Sequence, residues 1–332
     1  MDILLSIILL LIFLVALDQF SHLTITNAIK VSEISGLGKT TVGFLVIAFS
    51  TSLPELSVAV ISGFTNEAGV SVGNVIGSNI VNVCLIIGLA ALLVALRRRE
   101  PRSMIPSMAK EELGTLYSGL FIASIVPLSL VYLIYASWLV GLVLISIFVL
   151  YAYQLSKIRI SLGEATSVSD QMGGKLRLYM TLTLIGVLGV IASSYFLVNS
   201  AVVIAEFAGV PKTLIGATII AFGTSLPELS IDTKAFLRGH PTLALGDIIG
   251  SCFVNITLIL GVTLVAPAFI ASPLTINMIV YLDLVIFSLM ANLFLWYFLT
   301  LGRLGWREGV ILLFIYALFL ATTLGAIRIP PS

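Results

Sequence analysis

Glu55 and Glu228 each lie inside a long apolar stretch, and each directly follows the same four residues, Thr-Ser-Leu-Pro. A carboxylate in hydrocarbon is costly and marks a functional position unless a base neutralises it. No Lys or Arg occupies the middle of any apolar stretch in this chain. On a helix, Thr51 and Ser52 share the face of Glu55, and Thr224 and Ser225 share that of Glu228, because each stands four or three residues before its glutamate. Pro54 and Pro227 lack an N–H and clash with the carbonyl four residues back. Each should break a turn and release backbone oxygens around Phe49–Ser50 and Phe222–Gly223. Away from water those oxygens need a partner, and a bound cation is one. A plain kink would explain the prolines, but not the hydroxyls on the carboxylate face.

A second pair of stretches adds oxygens. Ser78 and Asn82 are spaced i, i+4, as are Ser251 and Asn255. Gly73, Gly77, Gly88, Gly246, Gly250 and Gly261 would let these helices approach others closely. Together the two sets offer two carboxylates and up to about eight neutral oxygens, enough to supply the six to eight that calcium takes in flexible geometry. The same oxygens suit sodium. None of these positions is His or Cys, which argues against zinc or copper.

The elements that hold these residues must cross a membrane. The chain has 332 residues, 59% hydrophobic and 10% charged, with mean hydropathy +1.16. That is far below the charge content of soluble domains, about 25%. A net charge of +1 leaves no basic excess for nucleic acid. Cys84 and Cys252 lie in apolar runs and imply no disulfide framework. Apolar runs of bilayer-crossing length predict ten spans, at 3–21, 40–63, 71–96, 114–134, 136–155, 178–205, 213–236, 242–268, 276–300 and 307–326. The first is read as a helix and not a signal peptide, having no charged leading region and no small-residue cleavage site. The connections on one side carry 15 Lys and Arg, whereas Lys212 and Arg328 alone fall on the side of the termini. The positive-inside rule then predicts a multi-pass protein of the cell membrane with both termini outside.

The chain also repeats itself. AFSTSLPELS from Ala48 recurs as AFGTSLPELS from Ala221, and GNVIGSNIVN from Gly73 recurs as GDIIGSCFVN from Gly246. Both pairs are offset by 173 residues, and 39–88 aligned on 212–261 gives 22 identities in 50 positions. The matches include Thr, Ser, Pro, Glu, Gly and Asn, so shared apolarity does not explain them. Five spans in each half make the second half enter from the opposite face. The expected fold is an all-α polytopic membrane protein of ten helices as two inverted five-helix repeats, 1–155 and 178–332, joined by a cytoplasmic linker at 156–177. Secondary transporters are built this way, with the ion site near the midplane.

At these motifs the sequence resembles the calcium/cation antiporter superfamily, in its prokaryotic sodium/calcium exchanger branch. The resemblance rests on F-x-T-S-L-P-E and G-N-x-x-G-S-N-x-x-N, and covers all ten spans in layout. It implies that spans 2, 3, 7 and 8 line the pore while spans 1 and 6 slide. It implies Glu55 and Glu228 as the central Ca²⁺ ligands. Thr51, Ser52, Thr224, Ser225, Ser78 and Ser251 would give oxygens to Ca²⁺ or Na⁺. Carbonyls near Ala48 and Ala221 would border Na⁺ positions, and Asn82 and Asn255 would flank the centre.

Four residues depart from the pattern. Ser50 replaces a glycine, and Asn255 stands where relatives carry Asp. Asp247 replaces the Asn of the G-N pair, and either faces the cavity or caps the start of span 8. Asp232 stands where the first repeat has Ala59, and is expected to pair with Lys234 or Arg238. Asp18, Glu33, Glu206 and Asp283 read as boundary residues. The expected activity is Na⁺/Ca²⁺ antiport extruding Ca²⁺, with H⁺/Ca²⁺ antiport as the alternative. G-N-x-x-G-S in place of the G-N-x-x-E of the proton-coupled branch favours Na⁺. An intramembrane aspartyl protease is remote, because residue 245 is Leu where Gly-x-Gly-Asp is needed. The expected partners are the ions and the lipid bilayer, with no cofactor, no nucleic acid and no obligate protein.

Overall fold

In the computed structural model the described residues are 3–35, 39–64, 68–98, 110–157, 170–207, 221–270 and 276–323. Among them, eight helices are long and apolar enough to cross a bilayer. A ninth crossing is the bent pair Thr40–Thr51 and Leu53–Val60. The tenth, span 7, is described from Ala221 on; its expected first part, 213–220, lies outside the described residues, as do 158–169 of the linker and 324–326 of span 10.

Several boundaries differ from expectation. Span 1 is one helix, Ile3–Ser35, and span 6 is one helix, Asp170–Phe207. Their 33 and 38 residues correspond to about 50 and 57 Å at 1.5 Å per residue. That exceeds a hydrocarbon core of about 30 Å, so both must tilt or project beyond it. The polar residues that suggested an end to span 1 are satisfied within the helix. Thr24 Oγ1 donates to Phe20 O at 2.9 Å, and Asn27 Nδ2 to Leu23 O at 2.7 Å. Spans 1 and 6 pack on each other along much of their length. Asp170–Arg177, expected in the linker, is helical.

Span 4 is Lys110–Tyr132 and span 5 is Trp138–Lys157. The weak break expected near Tyr135 is a tight turn, with Ile134 at φ 65° and Tyr135–Ala136 paired to Ile276–Asn277 as a two-residue ladder. Span 9, Leu282–Thr300, and span 10, Trp306–Thr323, complete the chain.

The repeats form the centre. In the most apolar window, span 3 is 67% buried and span 8 is 83%, against 19% for span 1 and 22% for span 10. Lipid is as apolar as leucine, so burial in a membrane protein is driven by close backbone approach and polar contacts. The sequence supplies both. A Cβ built on Gly246 would meet Thr40 O at 2.3 Å, and one on Gly250 would meet Phe44 Cα at 2.8 Å. Span 2 thus lies almost backbone to backbone on span 8. Replacing Gly246 by Ala is expected to force these helices apart, lowering stability by about 1–3 kcal/mol and transport with it. A thermal melt in detergent beside a flux assay checks this.

Among the described residues, three helical stretches contain π-turns: Gly43–Ile47, Val81–Ile86 and Asn255–Ile259. The second and third begin within one residue of Asn82 and at Asn255, which are mates under the 173-residue offset. Such insertions cluster at functional sites because they turn side chains and loosen carbonyls.

Candidate functional site

Span 2 is broken at Ser52 (φ −80°, ψ 8°) and span 7 at Ser225 (φ −90°, ψ 6°). The two breaks are nearly the same in geometry and lie two residues before Pro54 and Pro227. In span 2 the halves bend by 42°. Pro54 has no N–H for Ser50 O, as the sequence requires, and the new helical segments Leu53–Phe64 and Leu226–Leu237 each carry a glutamate in their first turn. A helix N-terminus favours negative charge, which is one local reason for a carboxylate there.

The glutamates are 1% exposed, and Oε2 of each has no hydrogen-bond partner among the described residues. The pairing is crossed. The Glu55 carboxyl faces the hydroxyls of Thr224 and Ser78, and the Glu228 carboxyl faces that of Thr51. Each repeat's glutamate therefore addresses the other repeat's threonine. Each threonine is also held by the other repeat's span-3 or span-8 helix. Thr51 Oγ1 lies 3.4 Å from Asp247 Oδ1 and 3.4 Å from Ser251 Oγ, and Thr224 Oγ1 donates to Asn74 Oδ1 at 3.2 Å. Asn74 and Asp247 are repeat mates.

Residues that touch their own repeat mates must lie on the axis relating the halves. Asn79 Nδ2 donates to the carbonyl of its mate Cys252 at 3.3 Å, and Asn79 Oδ1 accepts from Asn255 Nδ2 at 3.0 Å. The axis thus passes beside the two glutamates' helices, between spans 3 and 8.

Unpaired oxygens gather there. Ser52 Oγ, Ser78 Oγ, Ser225 Oγ, Asn82 Oδ1, Asn255 Oδ1 and Asp247 Oδ2 are buried without a hydrogen-bond partner among the described residues. Leaving a buried acceptor unmade costs about 1–3 kcal/mol, and more for a charged group. So many together fit a site that holds cations. The Ala48 carbonyl accepts from Thr51 Oγ1 at 3.3 Å and from Ser52 N at 3.1 Å. Ala221 opens the helical turn before the second break. No group of three or more His, Cys, Asp or Glu cages a metal among the described residues. The oxygens come instead from carboxylates interleaved with neutral groups, which suits cargo that must leave again.

One open alternative is decided and one expectation is corrected. Asp247 is not a helix cap: span 8 begins at Pro241 after His240, so Asp247 lies well inside the first helical segment, fully buried. Asp232 does not pair with Lys234 or Arg238. Lys234 forms an ion pair with Asp18, and Arg238 Nη1 reaches Thr26 Oγ1 at 3.5 Å. Asp232 is instead fully buried and faces Asp247. Asn74 and Asn79 were not singled out from sequence. The signal for Asn74 was its place opposite Asp247 in the repeat; that for Asn79 was weaker, because Cys252 is its mate.

The model of the sodium/calcium exchanger protein family matches residues 5–157 and 178–325. The chain belongs to this family. Among exchanger relatives, the sodium/calcium exchanger MaX1 of Methanosarcina acetivorans is 30% identical over 94% of this chain and 97% of its own length. The putative antiporter CaxA of Alkalimonas amylolytica is 35% identical over 69% of this chain and 71% of its own. The exchanger fold is shared with solved structures of the sodium-calcium exchanger NCX_Mj, at TM-score 0.82 and 24% identity over 97% of this chain and 99% of that one. The family makes this chain a cation antiporter of the membrane and not an enzyme, which removes the protease reading.

Proposed function

We propose that the chain exchanges Na⁺ for Ca²⁺ by alternating access and extrudes Ca²⁺ down the work of the Na⁺ gradient. The observation that carries the reading is the crossed pairing of Glu55 with Thr224 and Glu228 with Thr51 in a buried space rich in unpaired oxygens. Two carboxylates match the charge of one Ca²⁺. The surrounding hydroxyls, amides and carbonyls bring the oxygen number into the range calcium prefers. Thr51, Ser52, Thr224, Ser225, Ser78, Ser251, Asn82, Asn255 and the carbonyls at Ala48 and Ala221 complete the set, with Asp247 at its cytoplasmic edge. Na⁺ takes the same oxygens, so one cargo displaces the other. Because the ligands come from both repeats, movement around the pore helices opens the site to one side or to the other.

The protein lies in the cell membrane with its termini outside, as the Lys and Arg asymmetry supports. The segments 1–155 and 178–332 are the two repeats, joined between spans 5 and 6. Sliding would occur at spans 1 and 6, whose mutual packing is extensive.

The test is ⁴⁵Ca²⁺ uptake into proteoliposomes loaded with Na⁺, beside K⁺-loaded vesicles and vesicles with an imposed pH gradient. Uptake driven by internal Na⁺ is expected. Uptake that ignores Na⁺ and follows the pH gradient would replace this reading by cation/proton antiport, and no Ca²⁺ flux under either gradient would remove Ca²⁺ as cargo.

A further inference from the structure

The two half-sites are unequal. The second repeat supplies three buried carboxylates, Glu228, Asp232 and Asp247, where the first has Glu55, Ala59 and Asn74. Asp232 is fully buried, and neither of its oxygens finds a hydrogen-bond donor among the described residues. Its carboxyl faces that of Asp247. Asp247 Oδ1 is near the hydroxyls of Thr51 at 3.4 Å and Ser251 at 3.5 Å, while its Oδ2 is unpartnered. The bases closest in sequence are engaged elsewhere, Lys234 with Asp18 and Arg238 with Thr26. Two carboxyl groups thus face each other with no basic partner among the described residues, and buried charges of one sign are costly unless compensated. Around them stand the oxygens a hard cation uses: two carboxylates, two hydroxyls and, through Thr51, the Ala48 carbonyl.

We propose that Asp232 and Asp247 form a second divalent-cation site, beside the Glu55–Glu228 pair and on its Lys234–Arg238 side, with no counterpart in the first repeat. The inference rests on the exchanger reading above. Under the orientation proposed there, the site faces the cytoplasm. It collects Ca²⁺ from the side where Ca²⁺ is scarce and passes it to the central carboxylates. The neutral Ala59 and Asn74 leave the outer side without such a station, so release outward is not opposed. The exchanger thereby gains different Ca²⁺ affinities on its two sides.

Equilibrium dialysis of the purified full chain with ⁴⁵Ca²⁺ in Na⁺-free buffer tests this. Wild type is expected to bind two Ca²⁺ per chain. Asp232→Ala, which copies the first repeat, and the isosteric Asp232→Asn are each expected to bind one, and Na⁺ is expected to displace all of it. A wild type that binds one Ca²⁺, unchanged in both Asp232 variants and lost in Glu55→Gln, would overturn the second site and leave the exchanger reading standing. No Ca²⁺ bound to a folded wild type would overturn both. Asp232→Asn keeps the side-chain volume and removes an unpaired charge, so a binding loss in it is not a loss of fold.

Discussion

Glu55→Gln and Glu228→Gln are each expected to lower Na⁺-driven Ca²⁺ uptake by about 100-fold while leaving the protein at least as stable as wild type. Glutamine keeps the shape and one oxygen but removes a negative charge from the cation. A charged hydrogen-bonding or ligand contact contributes about 1.5–3 kcal/mol, and 1.4 kcal/mol is tenfold in affinity. The stability half of the expectation is the sharper one. Each glutamate has an unpaired, buried oxygen, so in Na⁺- and Ca²⁺-free buffer the carboxylate is a cost to the fold. Removing it should hold or raise the melting temperature, the usual trade between function and stability. If the glutamates were structural, held by a buried partner, the same substitutions would destabilise the chain by about 3–5 kcal/mol. Flux in vesicles and melting in detergent, run on the same preparations, separate the two.

A disulfide between Ser21→Cys and Ser230→Cys is expected to stop transport until it is reduced. Ser21 Oγ and Ser230 Oγ are 2.6 Å apart, joining span 1 to the second half of span 7. Side-chain oxygens in contact across the two spans make these positions suitable for a cross-link, whose Cβ atoms must come within about 3.5–4.5 Å. If span 1 slides past the pore helices during the cycle, a covalent link at this point holds one state. Oxidised double-cysteine protein should show uptake at the level of empty vesicles, and reductant should restore it. The single variants lose one part-buried hydroxyl contact, about 1 kcal/mol, and should transport within a few-fold of wild type. Full activity in verified cross-linked protein would rule out movement between these spans. The buried Cys84 and Cys252 remain as an internal control, since both are free and inaccessible.

Much of the site could be read before the fold. The offset of 173 residues identified Glu55 and Glu228 as mates, and the helical spacing of Thr51, Ser52, Thr224 and Ser225 put hydroxyls on their faces. What spacing along one helix does not give is the partner across the axis. The crossed contacts of Glu55 with Thr224 and Glu228 with Thr51 depend on how two inverted halves dock. Asp232 was misread for the same reason. Lys234 and Arg238 follow it closely in sequence, yet a helix turns about 100° per residue and carries them toward Asp18 and Thr26. Asp247 is ambiguous in sequence because helix ends are the least certain part of an apolar run and it stands near the expected start at 242; the helix in fact begins at Pro241, a residue favoured in a first helical turn. The π-turns at Asn82 and Asn255 left no mark on the apolar pattern, because one extra residue hardly disturbs a helix that is hydrophobic on every side. Span 1 is longer than the apolar run suggests because its Ser, Thr and Asn look like loop residues, although a helix can bond them to its own carbonyls; span 6 is longer because Asp170–Arg177, with two glycines and three charges, reads as linker.

The central claim is that one cation is held by carboxylates of both repeats and displaced by the other cargo. The most direct measurement is anomalous diffraction from crystals soaked in Ca²⁺, with and without excess Na⁺. Without Na⁺, a Ca²⁺ peak is expected between Glu55 and Glu228, with oxygens of both repeats at about 2.3–2.6 Å, and Na⁺ is expected to abolish it. Ca²⁺ bound away from both glutamates, or a peak there that Na⁺ does not diminish, would contradict the account.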